Sequence, residues 1–195
     1  MITAADRIEH LERFLAGVPG AARRAAAWAM NRALDEARAA AVAKITSRYA
    51  VRAGDVAAMI TTSRATEAEP SIVVRSRSGS LSLGYFPHTP TSPGTGGPGR
   101  PLLRAEVLRG APRDVPGAFV ANLQSGPRVM HRTGGTTSRG KAAIATVYTV
   151  PLGSMLGVQS VREAVEAEAL AALDRQIGPA IDRELKRAET AGGAS

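Results

Sequence analysis

The stretch of this sequence that comes nearest to a known chemical motif is GTTSRGKA, residues 135–142. It fits a phosphate-binding loop up to its last position, where Ala142 replaces the Ser or Thr whose hydroxyl would bind magnesium. Such a loop also needs a following helix whose amide groups face the phosphates, whereas IATVYTV, residues 144–150, has the pattern of a strand. The segment is therefore predicted to be a mobile hairpin loop and not a nucleotide site.

The other chemistry-bearing residues lack the neighbours that catalysis or metal binding requires. His10, His88 and His131 fall in a predicted helix, a proline-rich segment and a basic strand, without the spacing of a shared metal site. Glu106 and Asp114 are the only acidic residues of the central region, residues 71–150, so this region offers few candidates for catalysis by a pair of carboxylates. No serine, histidine and acid arrangement has local support either. We therefore expect no enzyme activity, no cofactor and no metal site.

The arginines of the central region are the one group of side chains whose type and spacing indicate a role. The group consists of Arg75, Arg77, Arg104, Arg109, Arg113, Arg128 and Arg132. Side chains two or four residues apart on a strand share a face, so Arg75 with Arg77, and Arg128 with Arg132, are predicted to form rows. Three roles stay open for these rows: a solvated sheet face, a subunit contact, or direct contact with phosphate. The aromatic residues expected between the basic residues of a single-strand binder are missing.

The net charge of +8 lies in the middle of the chain. Residues 71–150 contain ten Lys and Arg against two Asp and Glu. Residues 1–70 contain ten against eight, and residues 151–195 contain five against seven, so the charges of the two flanks cancel. A central basic surface predicts an acidic partner, either nucleic acid or a protein.

Composition limits the class of protein. At 195 residues the chain suits one domain, and with 44 % hydrophobic but only 4 % aromatic residues its core must depend on small side chains and closely approaching helices. The absence of cysteine excludes disulfides, thiolate metal sites and cysteine nucleophiles. The first residues lack the pattern of a signal peptide, and no apolar run approaches the roughly 20 residues that span a bilayer. We expect a soluble chain with no membrane partner.

Helical spacing dominates the first 62 residues. A short amphipathic helix is predicted from Thr3 to Ala16, with Thr3 as its cap. A long helix rich in alanine and arginine is predicted from Gly20 to Thr46, and a brief one from Gly54 to Ile60. These three helices form the predicted N-terminal region.

Strand patterns fill residues 63–150. Ile72–Arg77 and Leu81–Tyr85 are predicted to form a hairpin that turns at Ser78-Gly79. The segment 87–101, in which proline and glycine dominate, is predicted to be a flexible excursion from the sheet. Further strands are predicted at Leu103–Val107, Ala118–Leu123, Arg128–Arg132 and Ala142–Val150. The sheet is therefore expected to be mainly antiparallel.

The helical period returns from Val158 to Leu185, and Gly178-Pro179 is predicted to bend or break that helix. The predicted organisation is one structural domain in four consecutive parts. These are a helical region at 1–62, a sheet region at 63–150, a C-terminal helix at 151–188 and a disordered tail at 189–195. Helices, then strands, then a helix indicate an α+β fold.

Several short motifs follow one another in an informative order. They are Gly20-Ala21-Ala22, Asn31-Arg32-Ala33, Arg64-Ala65-Thr66, Pro116-Gly117-Ala118-Phe119, Leu123, Ser125-Gly126, a strand with Val129 and Arg132, and Val150-Pro151-Leu152 before the last helix. In order and spacing, over about residues 20–185, they resemble the phage minor tail protein Z family, the tail completion proteins of lambda-like siphophages. The chain departs from that family's pattern in its Pro/Gly-rich segment.

This resemblance implies a virion structural protein, made in the host cytoplasm and located at the head-proximal end of a long non-contractile tail. It implies an α+β subunit that forms a ring, a hexamer, which continues the DNA channel and supports head-tail joining. The implied partners are other copies of the chain, tail terminator and tail tube proteins, and head-completion or neck proteins, with contact to DNA in the channel. The alternative function is that of a basic nucleic-acid-binding protein of the cell.

A ring subunit needs a surface that docks on its neighbour, and the apolar turn at residues 115–119 is the candidate. The candidate subunit interface consists of Val115, Pro116, Phe119, Arg128 and Arg132, with Phe119 as the anchor. The candidate basic face, directed at a partner ring or at DNA, consists of Arg75, Arg77, Arg104, Arg109 and Arg113. That Phe119 packs in the core of its own subunit is an equally open alternative.

Overall fold

The fold is that of a computed structural model, which describes residues 4–18, 20–77, 79–94, 102–124 and 126–192. The chain forms two compact units, each assembled from separate stretches of sequence. The helical unit comprises Met1–Val42, Ile60–Ser76 and Gly157–Ser195, and the strand-rich unit comprises Ala43–Met59 and Arg77–Leu156. The predicted single domain, with boundaries at residues 62, 150 and 188, stays a prediction.

The predicted α+β class is confirmed, with helices at both ends of the chain and several small antiparallel sheets between them. The helices are α1 (Ala4–Phe14), α2 (Ala21–Arg48), α3 (Ala53–Met59), α4 (Leu152–Leu156) and α5 (Gln159–Gly192). The strands are β1 (Ile60–Ser63), β2 (Val73–Ser76), β3 (Ser80–Ser82), β4 (His88–Thr89), β5 (Leu103–Ala105), β6 (Arg113–Val115), β7 (Ala118–Leu123), β8 (Gly126–Thr136), β9 (Ala142–Thr146) and β10 (Tyr148–Pro151). The three predicted N-terminal helices are therefore found, although Thr3, the predicted cap of the first, lies outside the described residues.

α2 buries a stripe of small side chains spaced four residues apart. The stripe consists of Ala21, Ala25, Ala29, Ala33, Ala37, Ala41 and Ile45. Because four residues turn an α-helix by about 400°, each step moves the buried position about 40° around the helix. The buried face of α2 therefore winds around its axis, and alanine lets neighbouring elements approach it closely.

The helical unit has its own hydrophobic core, in which α5 runs antiparallel to α2. The Arg24 side chain of α2 donates to Glu184 of α5 at 2.7 Å, and further along α2 Glu36 accepts from Arg175, which lies earlier in α5. Arg175 also donates to Glu168 at 2.9 Å. Hydrogen bonds to Glu168 and Glu36 raise the pKa of the Arg175 guanidinium above its ordinary value. This cation therefore stays charged at any pH at which the protein is folded.

The hairpin predicted between residues 72 and 85 is wrong. β2 pairs antiparallel with β1, so that Ile60 lies opposite Ser76 and Thr61 opposite Arg75, whereas β3 pairs with β10. Ser78, half of the predicted turn, lies outside the described residues. The sequence pattern of β2 predicted a strand but did not predict its partner. β1 was not recognised as a strand, because three of its four residues are polar.

The described residues of the strand-rich unit form three sheets, with strand orders β10-β3, β4-β5-β6 and β7-β8-β9. The predicted strand at 142–150 is divided at Val147 between two of these sheets. Val147 donates its N–H to the carbonyl of Val129 at 3.0 Å and accepts from the N–H of Leu83 at 2.9 Å. One residue thus links the hydrogen bonding of β8 to that of the segment after β3.

Part of the Pro/Gly-rich segment forms a strand. His88 and Thr89 form β4, paired with Ala105 and Arg104 of β5, while residues 95–101 lie outside the described residues. β5 itself ends at Ala105, two residues before the predicted end of that strand. β6 was not predicted, because its three residues have no apolar alternation.

α5 continues without a break from Gln159 to Gly192, with Pro179 inside it. Of the two predicted effects of Gly178-Pro179, a break of the helix is therefore wrong, and a bend stays a prediction. Proline removes one hydrogen-bond donor, but the buried Leu173 and Ala180 on either side hold this helix in the core. Residues 189–192 of the predicted disordered tail are helical, and residues 193–195 lie outside the described residues.

Candidate interaction surfaces

The apolar turn at residues 115–119 connects β6 to β7. Pro116 and Gly117 are exposed at its tip, and Gly117 has a φ of +74°, a left-handed conformation that other residues rarely adopt. Val115 and Phe119 on either side are half-buried. Proline and glycine therefore fix a tight turn that keeps two apolar side chains near the surface.

Phe119 lies in an open groove and not in the core. The guanidinium carbon of Arg132 is 5.6 Å from the centre of the Phe119 ring, a cation–π distance. This Phe119 groove has a volume of about 450 Å³ and is lined by Leu102, Pro116, Gly117, Ala118, Phe119, His131 and Arg132. Leu102 at its rim is 59 % exposed. The groove thus combines an apolar floor with a cationic side chain.

Arg128 and Arg132 share one face of β8, as predicted. Arg128 lies opposite Ala121, Met130 opposite Phe119, and Arg132 opposite Ile144 of β9. Both arginines are exposed. Three of the five candidate interface residues, Val115, Pro116 and Phe119, belong to the apolar turn, and Arg132 lines the Phe119 groove. Arg128 extends this surface along β8.

A second apolar groove was missed by the sequence analysis. This Leu108 groove has a volume of about 390 Å³ and is lined by Arg48, Tyr49, Ala105, Val107, Leu108, Ala111, Arg113, Val115 and Val150. Leu108 and Val150 are 40 % and 41 % exposed. Its lining comes from α2, β5, β6, β10 and a loop, which are far apart in sequence, so no local pattern could have found it. Val115 reaches it from the base of the apolar turn.

Backbone pairing holds the Leu108 groove together. The N–H of Ala50 donates to the carbonyl of Val107 at 3.0 Å, and the N–H of Arg109 donates to the carbonyl of Arg48 at 2.9 Å. The side chain of Arg109 donates to the carbonyl of Thr46 at 2.9 Å. Arg109, a residue of the predicted basic face, therefore fastens its loop to the last turn of α2.

The other residues of the predicted basic face are exposed but occupy different settings. Arg75 lies on β2 in the helical unit, and Arg77 follows that strand as the first residue of the next segment of the strand-rich unit. Arg104 is opposite Asp114, with 3.9 Å between their charged atoms, and Arg113 is opposite Ala105, so the two arginines point to opposite faces of their sheet. The structure brings Arg113 to the Leu108 groove and does not bring Arg104 with it.

Charge is distributed very unevenly between the two units. By sequence, the strand-rich unit contains twelve Lys and Arg against three Asp and Glu, a formal net charge of +9. The helical unit contains thirteen against fourteen, a net charge of −1. The basic middle of the sequence thus corresponds to one compact unit.

The phosphate-loop look-alike is a hairpin turn, as predicted. Residues 137–141 connect β8 to β9, with the N–H of Thr137 donating to the carbonyl of Lys141 at 2.7 Å. Gly140 has a φ of +70° within this turn. A strand follows where a phosphate-binding loop requires a helix.

The histidines occupy separate surroundings. The His10 ring contacts the Phe14 ring in a tilted arrangement, with 5.0 Å between ring centres, and Nδ1 of His88 lies 2.8 Å from the carbonyl oxygen of Phe86. His131 lines the Phe119 groove. Within the described ranges, no three His, Asp or Glu side chains cluster as a metal site requires. No described helix is both long and apolar enough to cross a membrane.

Two of the motifs in the sequence meet in the helical unit. The side chain of Asn31 donates to the carbonyl of Ala65 at 3.0 Å and accepts from the N–H of Ala65 at 2.9 Å. Arg64 beside it forms an ion pair with Asp35 at 3.4 Å. Asn31 therefore satisfies both backbone groups of a buried residue, as a neighbouring strand would.

In a comparison with protein families, the model of the family described as prophage minor tail protein Z (GPZ) matches residues 4–190. The chain belongs to the prophage minor tail protein Z family. The match covers nearly the whole chain, including both motifs joined by Asn31 and the apolar turn. Neither the comparison with curated proteins nor that with solved structures gave a match.

Membership of the minor tail protein Z family gives this chain a structural role in a phage tail and a location in the virion. The resemblance inferred from the short motifs is thereby confirmed. A structural tail family also favours a role other than catalysis.

Proposed function

We propose that this minor tail protein completes the head-proximal end of a long non-contractile tail. In this proposal it forms a ring, a hexamer, that continues the DNA channel and supports the joining of the head. Its neighbours are further copies of the chain, tail terminator and tail tube proteins on one side, and head-completion or neck proteins on the other.

The observation that carries the proposal is the pair of apolar grooves on the strand-rich unit. In a head-to-tail ring each copy binds with one patch and is bound at a different one, so two distinct patches are required. The Phe119 groove has an exposed apolar turn beside it, which suits the binding patch. The Leu108 groove, with Arg48 and Arg113 at its edge, suits the patch that is bound.

The apolar character of both grooves favours protein partners. Interface cores are depleted of charge and enriched in aromatic residues and Arg, the composition found around Phe119 and Arg132. Exposed Leu102, Leu108 and Val150 would lose contact with water on assembly, which stabilises the ring by the hydrophobic effect.

The test is to localise the chain on phage particles from its source lysate with a gold-labelled antibody and negative-stain electron microscopy. We expect gold at the head-tail junction. Gold at the distal tail tip, or along the tube, would overturn the head-proximal position. Absence from every particle, with the protein free in the cell, would overturn the structural role and favour a cellular nucleic-acid-binding protein instead.

Ring formation needs a separate measurement. The mass of the purified protein, by light scattering and native mass spectrometry, is expected to correspond to a closed oligomer at high concentration or in the presence of tails. A chain that stays monomeric in solution and is present as a single copy per tail would contradict the ring.

A further inference from the structure

The sequence from Val115 to Arg162 contains no Asp or Glu. The sheet of β7, β8 and β9 lies entirely within this stretch, and β8 with the turn that follows it contains Arg128, Arg132, Arg139 and Lys141. Among the described residues, none of these four side chains forms an ion pair with a carboxylate. Within the part of the chain that the structure describes, these four cations are therefore not neutralised by carboxylates of the same protein.

The four cations are arranged along one hairpin. Arg128 and Arg132 lie four residues apart on β8 and face the same way, which separates their Cα atoms by about 13 Å. Arg139 and Lys141 are exposed in the turn between β8 and β9. A DNA duplex carries one negative charge per about 1.7 Å of its axis, so several phosphates lie within the span of this hairpin.

Beyond Arg132 the hairpin is exposed and has no large apolar side chains. All residues from 133 to 142 are exposed, and none has an apolar side chain larger than the methyl group of alanine. β8 has two more residues than β9 between the pairs Arg132–Ile144 and Thr136–Ala142, and Gly134 in this bulge has a φ of +82°. The bulge and the turn thus place exposed Thr and Ser residues beside the cations.

This composition distinguishes a phosphate surface from a protein interface. Protein interfaces have an apolar core, which residues 133–142 lack. Arg and Lys, Ser and Thr hydroxyls and backbone N–H groups are the donors that contact the phosphates and sugars of nucleic acids. The Phe119 groove, which meets β8 at His131 and Arg132 in the middle of the strand, has the apolar residues that residues 133–142 lack.

We propose that the β8–β9 hairpin binds the phosphate backbone of duplex DNA without reading its sequence, through Arg128, Arg139 and Lys141 and with Arg132 alongside. The hairpin, residues 126–146, contains no Asn or Gln side chain, the types that bond the edge of adenine. The inference rests on the proposed function only for the location of the contact, which is the DNA channel of the tail. Binding itself is a property of the isolated protein.

The experiment measures binding of the full chain to a fluorescein-labelled duplex of about 30 base pairs by anisotropy, at several NaCl concentrations between about 50 and 300 mM. The test variant combines Arg128→Gln, Arg139→Gln and Lys141→Gln, and leaves Arg132 in contact with Phe119. The matched control combines Arg23→Gln, Lys186→Gln and Arg187→Gln, three exposed cations of the helical unit. Both variants lose three positive charges, so a difference between their affinities for DNA cannot come from net charge.

We expect the test variant to bind at least about tenfold more weakly, with a plot of log affinity against log salt whose slope is less steep by about 2.7, which is about 0.9 for each lost phosphate contact. The control variant should keep the slope of the unmodified chain. Circular dichroism and thermal unfolding establish that both variants are folded.

Three results would overturn the inference. Equal losses in both variants would mean that net charge alone attracts DNA. Equal competition by poly-glutamate and by unlabelled DNA would assign the hairpin to an acidic protein surface. Loss of oligomers in the test variant with unchanged DNA affinity would make the hairpin a contact between copies. Failure of DNA binding with gold still at the head-tail junction would leave the proposed function intact.

Discussion

The side chain of Arg132 covers the ring of Phe119, with 5.6 Å between the guanidinium carbon and the ring centre. Phe119 is directly opposite Met130, so Arg132 reaches it along the diagonal between neighbouring strands. A cation–π contact at such an exposed site contributes about 0.5–1 kcal/mol. The contact therefore adds little to the stability of the fold.

Replacing Phe119 by alanine should impair incorporation into tails more than folding. Because the ring is only half-buried, the free energy of unfolding should fall by less than the about 3–5 kcal/mol that truncation of a fully buried Phe costs. Incorporation is measured by immunoblotting purified tails, and stability by urea denaturation. The same substitution at Phe14, which is 64 % exposed on α1, is the control. Equal loss of folding and incorporation at Phe119 would remove its interface role.

The Leu108 groove makes a second, independent prediction. Leu108→Ser should reduce the mass of the oligomer in light scattering, since it places a hydroxyl in the apolar surface that a neighbour covers. Leu185→Ser on α5 is the matched control, because its side chain is 41 % exposed against 40 % for Leu108. An unchanged oligomer in the Leu108 variant, or an equal change in both variants, contradicts a role of this groove in the ring.

Reversing the charge of Arg75 and Arg77 tests the predicted basic face. The double substitution to Glu should reduce incorporation into tails by about tenfold or more, because like charges brought together at an interface cost several kcal/mol. Arg23→Glu with Arg187→Glu changes the charge equally at exposed sites outside the predicted face. Tails of normal composition and number from the Arg75 and Arg77 variant would count against this face.

Asn31 should be needed for stability, since it bonds both backbone groups of the buried Ala65. Asn31→Ala leaves these groups without that partner and should lower the free energy of unfolding by about 2 kcal/mol. The measurement is thermal or urea unfolding, with Asn122→Ala on the exposed side of β7 as the control. A loss at Asn31 no larger than that at Asn122 would show that water replaces the two hydrogen bonds.

The ion pair between Arg24 and Glu184 should be the costliest one to break. Glu184 is 2 % exposed, so Arg24→Met leaves a buried carboxylate without this cation and should destabilise the protein by about 3–5 kcal/mol. Glu9 and Arg13 form a surface pair at 3.7 Å, and Arg13→Met should change stability little. Urea denaturation of both variants measures the difference, and similar values for the two would contradict the burial argument.

Features of the fold that depend on local sequence were predictable. α2 and β7 follow from runs whose period is visible within a dozen residues, and the bounds of β7 were predicted to the residue. Partners of strands were not predictable in the same way. β2 pairs with β1 and not with β3, and nothing in residues 72–85 carries that information. Pairing depends on what the strands bury together, which is a property of the folded unit.

The candidate surfaces likewise include features that local sequence predicts and features that depend on the fold. The apolar turn and the shared face of Arg128 and Arg132 could be predicted, because residue types in turns and alternation in strands are local signals. The contact of Arg132 with Phe119 required the register of β7 against β8. The role of Arg109 required knowing that its loop lies against the end of α2.

The absence of carboxylates from the β7–β8–β9 sheet also determines how this surface responds to acid. Protein carboxyl groups take up protons mainly between about pH 3 and 5, and this sheet has none to protonate. An attraction between the hairpin and an acidic protein surface would therefore weaken in acid, whereas DNA phosphates keep their charge and the hairpin keeps its own. Acidification to about pH 4 thus distinguishes the two kinds of partner without altering a single residue.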